Sequence, residues 1–267
     1  MGICIVIFSV IIPTFNSSST IQRALESVLK QSFKDFEIII VDDGSSDNSK
    51  EIIYQTLSKE TVSFKYIYQK NAGAAAARNN AVKNSIGTYL AFLDSDDEWH
   101  EDKLKIQYFY IQKLNAEFIS TKYTFKDFNN SKDVKIRKYK FDDFLLSNRT
   151  STPCTVITRN LFDKVNGFNF EQRYSEDYHL WLKASYYEPL YIIVEPILVR
   201  LYKYAYGESG LSSHLWAMEK GELSNYKFCY DSKYIGIVKY FFIIMYSLSK
   251  FIFRVVHSII NKFLKLK

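Results

Sequence analysis

The sequence predicts an α/β fold, a mostly parallel, doubly wound sheet flanked by helices. Over the first hundred residues, short apolar runs alternate with segments of helical periodicity, the pattern of successive βαβ units. Each apolar run also ends in polar or acidic residues. Strands of an open α/β sheet end this way where their carboxyl ends border a ligand crevice.

The elements follow in order. Ser9 to Ile12 is an apolar run that predicts the first strand. Met1 to Ile12 lacks the positive n-region and cleavage site of a signal peptide, and Pro13-Thr14-Phe15-Asn16 follows directly, so it reads as a buried strand. Serines after Asn16 can cap a helix in which Ile21, Ala24, Leu25, Val28 and Leu29 recur at helical spacing. Glu37 to Val41 is a β-branched run suited to a central parallel strand, and it ends in Asp42-Asp43-Gly44-Ser45. Asn48 and Glu51 have capping-box spacing ahead of Ile52, Ile53 and Leu57. Phe64 to Tyr68 predicts a third strand, Gly73 to Ser85 an Ala-rich helix, and Tyr89 to Leu93 a fourth strand ending in Asp94-Ser95-Asp96-Asp97. A further helix is expected from Asp102 to about Asn115. Thr121 to Arg149 reads as polar and irregular, Thr155 to Thr158 as a strand, Asp177 to Ala184 as a helix and Ile192 to Leu201 as extended.

Composition narrows the function. The 267 residues are 47% apolar and 17% aromatic with only 9 glycines, enough for one large core and unlike disordered or collagenous chains. Three cysteines without a CxxC pair point to a reducing compartment, and the four histidines lack zinc-ligand spacing. Net charge is +6, yet from Tyr234 onward there are six Lys/Arg and no acid, so the remainder is balanced. A nucleic-acid binder spreads its cations over the folded face, so that class is disfavoured.

The acidic rim carries the chemistry. Asp94 and Asp96 at one strand end repel each other, and a cation or a proton resolves such a conflict. Hard divalent ions such as Mg2+ or Mn2+ take oxygen ligands and complete their shell with water and substrate phosphates, so a nucleoside diphosphate is the natural partner. Alone, the tripeptide more often reads as a solvated acidic turn capping the next helix, and Asp42-Asp43 more often as a helix cap. Together, three strand ends make one nucleotide pocket with a metal at its far end. GxGxxG and GxxxxGK[ST] are absent, which disfavours a dehydrogenase and leaves phosphate neutralisation to the metal and to side chains such as Arg78 or Lys203.

Four segments in order resemble the family 2 glycosyltransferases of the GT-A fold: Val10-Ile11-Ile12-Pro13-Thr14-Phe15-Asn16, Ile39-Ile40-Val41-Asp42-Asp43-Gly44-Ser45-Ser46-Asp47, Asn71-Ala72-Gly73 with Ala77-Arg78-Asn79, and Phe92-Leu93-Asp94-Ser95-Asp96-Asp97. Ser175-Glu176-Asp177-Tyr178-His179-Leu180-Trp181-Leu182 is similar to the family's ED motif. The resemblance implies a nucleotide-sugar-binding half over 1–100 and an acceptor-binding half of the same domain over 101–233. Charge and periodicity set off a basic amphipathic, membrane-associating helical tail over 234–267. The resemblance also implies an inverting sugar transfer from a nucleotide sugar, UDP-linked by default, to an acceptor such as a lipid-linked saccharide of surface polysaccharide, O-antigen or capsule. Pro13, Thr14, Asn16, Asp42 or Asp43, Asn71, Gly73 and Arg78 would then serve the nucleotide. Asp94 and Asp96 would serve diphosphate and metal, with Asp96 the direct ligand, and Asp177 the general base. Glu176, Trp181 and Lys203 are candidate diphosphate or acceptor contacts. Trp99 and Trp181 suit either sugar stacking or the core, and Glu176-Asp177 alone suits the start of any helix.

The tail has no apolar stretch free of charge long enough to span a bilayer. At about 100° per residue, Lys239, Lys250, Arg254, His257, Asn261 and Lys265 fall within about 80° of one another, with Phe241, Leu248, Ile252, Val255, Ile259 and Phe263 opposite. That pattern predicts a basic amphipathic helix in an anionic membrane interface, at the cytoplasmic face of the inner membrane, or else a helix packing its apolar face on the body or a partner subunit. Two rival classes stand beside the transferase. A non-catalytic nucleotide-binding membrane scaffold has no use for Asp177. A receiver-like signalling domain carries its acidic pair after the first strand, where this chain has Pro13-Thr14-Phe15-Asn16.

Overall fold

Strand β1 (Phe8–Thr14) lies inside the parallel half of an eight-stranded sheet in the computed structural model, which describes residues 6–128, 131, 133–202 and 214–265, with side chains to residue 256. It pairs on one side with β2 (Phe36–Asp42), which carries β3 (Phe64–Tyr68) beyond it, and on the other with β4 (Tyr89–Phe92). All four run parallel, and every residue of β1 and β2 is buried. Burial on both faces explains why FSVIIPT and FEIIIVD are nearly continuous apolar runs. Val10 and Ile12 face the helices α1 (Ile21–Leu29), α2 (Ser49–Leu57) and α4 (Lys103–Leu114). Ile11, Ile39 and Val41 face the opposite layer, α3 (Ala74–Lys83), α6 (Arg159–Lys164) and α7 (Glu176–Tyr187).

The full order is β3-β2-β1-β4-β9-β6-β10-β8, with β6 (Phe118–Thr121), β8 (Lys135–Tyr139), β9 (Val156–Thr158) and β10 (Leu190–Glu195). β9 runs antiparallel between β4 and β6, β6 and β10 are parallel, and β8 closes the edge antiparallel. Strands from before and after residue 100 therefore share one sheet. A second sheet joins β5 (Glu98–Trp99), β11 (Val199–Arg200) and β7 (Tyr123–Thr124).

Three expectations need revision. Thr121 to Arg149 is not irregular throughout: it holds β7, β8 and α5 (Phe141–Leu146). KIRKY of β8 is an edge strand with three exposed cations, which blunt the edge and hide its periodicity. The extended run from Ile192 to Leu201 is divided at the cis Glu195–Pro196 bond into strands of different sheets. The tail forms a helix, α9 (Ile237–Lys265), that packs on α8 (Leu215–Asp231) and α5, with Ile235 and Ile243 in the main core. Its basic face is turned toward the protein: Lys239 pairs with Asp142 at 2.6 Å and Arg254 with Glu219 at 2.6 Å and Glu222 at 3.0 Å.

Helix α8 approaches the loop before α7 so closely that a β-carbon on Gly221 would stand 2.5 Å from the Tyr174 carbonyl oxygen. Gly221→Ala is therefore expected to lower stability by about 1–3 kcal/mol, as overpacking does, read as a lower urea midpoint at unchanged slope.

Candidate active site

The carboxyl ends of β1 to β4 converge on one rim. The Asp43 N–H donates to the Thr14 carbonyl at 2.8 Å, and the Gln69 N–H donates to the Asp42 carbonyl at 2.9 Å. Asp42 is buried and accepts from the Ser45 N–H at 2.8 Å and the Tyr66 hydroxyl at 2.7 Å. Asp43 is also buried and accepts from Gln69 Nε2 at 2.7 Å and from the N–H groups of Ala72 and Gly73, both at 2.8 Å. This second carboxylate thus fixes the Asn71–Gly73 loop at the start of α3. Gly44, at φ +84°, lets the loop after β2 pass that segment: a β-carbon there would stand 3.0 Å from the Asn71 nitrogen. Asn16 Oδ1 accepts from the Ser46 N–H at 2.9 Å, tying the first two loops together. Pro13 is buried within β1, while the Thr14 Oγ1 at its tip is buried with no hydrogen-bond partner. A buried hydroxyl in that state is a ready contact for a ligand.

Arg78 joins this rim to the ED helix. It projects from α3, is 7% exposed, and places Nη2 at 2.7 Å from Asp94 Oδ1 and Nη1 at 3.3 Å from Glu176 Oε1. Asp94 follows β4 and Glu176 opens α7, so one guanidinium spans the two sides of the crevice. The entry to α7 is held in an uncommon shape. Ser175 is buried at φ +57°, in the left-handed region a serine seldom adopts. Its carbonyl accepts from Asn225 Nδ2 of α8 at 3.1 Å, from Gln172 Nε2 at 3.2 Å and from the His179 N–H at 3.0 Å. Strained backbone persists where surroundings over-determine it, and here it aims the next two carboxylates.

Glu176 and Asp177 are both harder to ionise than ordinary carboxylates. Burial raises Glu176 to about 7, with the neighbouring Asp177 adding to the rise and Arg78 opposing it. Burial also raises Asp177, against the Tyr178 N–H at 2.7 Å, Arg78, and Asn148 Nδ2 at 3.2 Å. A carboxylate with its proton affinity raised toward neutrality is suited to accepting a proton from a bound alcohol.

Asp94 and Asp96 sit half-buried at the rim, and Arg23 Nη2 of α1 donates to the Asp96 carbonyl at 2.6 Å. Their hard oxygen donors suit Mg2+ or Mn2+. Among the described residues no group of three or more His, Cys, Asp or Glu side chains is placed to hold an ion by itself. An ion here would need oxygens from a bound diphosphate.

The structure corrects Trp181. Its ring is fully buried, stacked on Phe118 at 5.4 Å and close to Phe92 and Phe168, so it is core and not a substrate contact. Trp99 is core as well, donating to the Pro153 carbonyl at 2.8 Å. Glu176 faces Arg78, and Lys203 lies outside the described residues. Sequence reasoning missed Asn148, Tyr66, Gln69, Gln172 and Asn225. All but Gln172 act through residues between 24 and 50 positions away, and no local pattern marks them.

The family model described as glycosyl transferase family 2 matches residues 9–170. A Rickettsia felis glycosyltransferase is 46% identical over 115 residues, which cover 43% of this chain and 19% of that protein. The chain thus spans about a fifth of such a relative. The UDP-Glc:alpha-D-GlcNAc-diphosphoundecaprenol beta-1,3-glucosyltransferase WfgD of Escherichia coli is 36% identical over 178 residues, 65% of this chain and 68% of that one. The crystal structure of S. aureus TarS with UDP-GlcNAc superposes with a TM-score of 0.70 at 21% identity, covering 93% of this chain and 72% of the other. That likeness shows the GT-A fold.

Removing the bridging cation should be costly. Arg78→Met is expected to lower stability at pH 7.5 by about 2–4 kcal/mol, because Asp94 and Glu176 lose the charge between them. Part of that loss should return at pH 5, where Glu176, raised to about 7 by burial, takes up a proton; urea melts at both pH values check it.

Proposed function

The chain belongs to glycosyl transferase family 2 and is a glycosyltransferase; we propose that it moves a sugar from a UDP-sugar to a hydroxyl of a lipid-linked saccharide, with inversion and with Asp177 as base. The observation that carries this reading is Arg78, which holds Asp94 of the donor rim and Glu176 of the ED pair on one guanidinium. The donor class is supported by WfgD, whose named donor is UDP-Glc, and by the UDP-GlcNAc complex of TarS. The acceptor class is supported by the diphosphoundecaprenol-linked saccharide in the WfgD name. A lipid-borne acceptor would place the enzyme peripherally at the cytoplasmic face of the inner membrane, in assembly of surface polysaccharide, O-antigen or capsule.

In this reading Thr14, Asn16 and the Asn71–Gly73 loop receive the nucleoside, while Asp42 and Asp43 keep those loops in shape. Asp96 with Asp94 would hold a Mn2+ or Mg2+ ion, which when bound neutralises charge gathering on the departing diphosphate. The acceptor hydroxyl attacks the anomeric carbon on the face opposite the diphosphate, and its proton passes to the Asp177 carboxylate. Asn148 and the Tyr178 N–H hold the two oxygens of that carboxylate in a fixed orientation. Fixing both partners in line supplies much of the remaining acceleration.

Asp177→Asn is expected to lower transfer by about 10²–10⁴-fold, the usual worth of a general base, while donor binding stays unchanged. A nucleotide-binding scaffold would show no transfer to lose, and equal loss of binding would mark Asp177 as structural. Asp96→Ala should weaken nucleotide binding with Mn2+ present and leave metal-free binding alone, as calorimetry would show. Because the base acts deprotonated and the acid pair titrates above the ordinary carboxylate range, with Glu176 at about 7, the rate should fall as pH drops through that region. A rate that shows no fall toward acid pH would remove Asp177 from the role.

A further inference from the structure

Helix α9 is built inside out. Its packed face carries polar groups: the buried Ser247 donates to Glu219 at 2.8 Å, Arg254 pairs with Glu219 and Glu222, and Lys250 donates to the Leu146 carbonyl at 2.8 Å. Its open face carries Val238, Phe241, Phe242, Met245, Ile252 and Phe253, each between 53% and 71% exposed. These recur along one side from 238 to 253, a stripe about 23 Å long at helical rise. Water selects the opposite arrangement, and a continuous apolar stripe of this size marks an interaction surface.

Charge identifies the occupant. The cations at the helix's middle are engaged by Asp142, Glu219 and Glu222, so the stripe itself is neutral. From Ser232 to Lys267 the sequence has no acid, with Lys233 before the stripe and Lys262, Lys265 and Lys267 after it. A helix lying in the plane of one leaflet inserts an apolar face among acyl chains while cations beside that face meet anionic headgroups. This arrangement of an apolar stripe with lysines next to it fits such a surface. A second copy meeting this face would bring cationic ends against cationic ends. No helix among the described residues is long and apolar enough to cross a membrane.

We propose that α9 lies in the plane of one leaflet with its Phe241–Phe253 stripe inserted among the acyl chains. Insertion anchors the protein, and the terminal lysines add a secondary attraction to anionic lipid. The proposal gives peripheral membrane attachment a specific contact and does not depend on the chemistry at Asp177.

Vesicle flotation of the full chain tests it, with phosphatidylcholine alone and with added phosphatidylglycerol, at low and high salt. The protein is expected to float with both vesicle types and to stay bound at high salt, with anionic lipid raising the bound fraction. Phe241→Glu combined with Phe253→Glu should abolish flotation while UDP binding and the melting curve stay normal. Lys262→Gln, Lys265→Gln and Lys267→Gln together should remove only the anionic enhancement. Flotation confined to anionic vesicles and reversed by salt would overturn insertion. So would a solution dimer that dissociates in the Phe241→Glu, Phe253→Glu variant and never floats. Since flotation needs no turnover, its failure leaves the Asp177→Asn result to stand separately.

Discussion

A guanidinium buried between two carboxylates from distant parts of the chain sets the geometry of this protein's crevice. Arg78 comes from a helix of the first half, Asp94 from the end of β4, and Glu176 from the start of a helix more than eighty residues later. Neither carboxylate can move far without leaving an uncompensated charge in a poorly solvated place, which is strongly unfavourable. The strand-end rim and the acid pair are thereby held at one separation. Arg78 also opposes the rise in Glu176's proton affinity, so the same contact that positions the pair tunes it.

The other acidic pair works differently. Asp42 and Asp43 spend their oxygens on backbone and side-chain donors of the surrounding loops. In the proposed reading they shape the nucleotide pocket through its walls. The Thr14 hydroxyl, buried and without a hydrogen-bond partner at the tip of β1, is a polar atom that a ligand could engage. A site organised in this way depends less on induced ordering, since its loops are already bonded to one another.

Much of the architecture is readable in the chain because burial on both faces of β1 and β2 imposes a composition, and the polar residues that end each strand stand out against it. Asp42, Asp94 and Asp96 are singled out as candidates by that logic, and the ED pair by resemblance. The features that escape do so for physical reasons. β8 carries the charges of an edge strand, so its alternation is obscured. Asn148 and Asn225 reach their partners across 29 and 50 positions, in contacts that only the fold creates. Trp181 sits beside the acid pair in sequence, yet helical rotation sends it into the core. The two-sided pattern of α9 is visible, but periodicity cannot tell which side meets protein. Glu219 and Glu222 on the preceding helix decide that.

Asn225 and Gly221 give α8 a part in the crevice that its position in the chain conceals. The family-defining segment ends at residue 170, before the acid pair, and the backbone that aims the pair is clamped by a helix beginning at Leu215. A working unit cut from this protein must therefore reach beyond Asn225, and grafting the ED motif alone onto a related scaffold would transplant its letters without the vice that grips them.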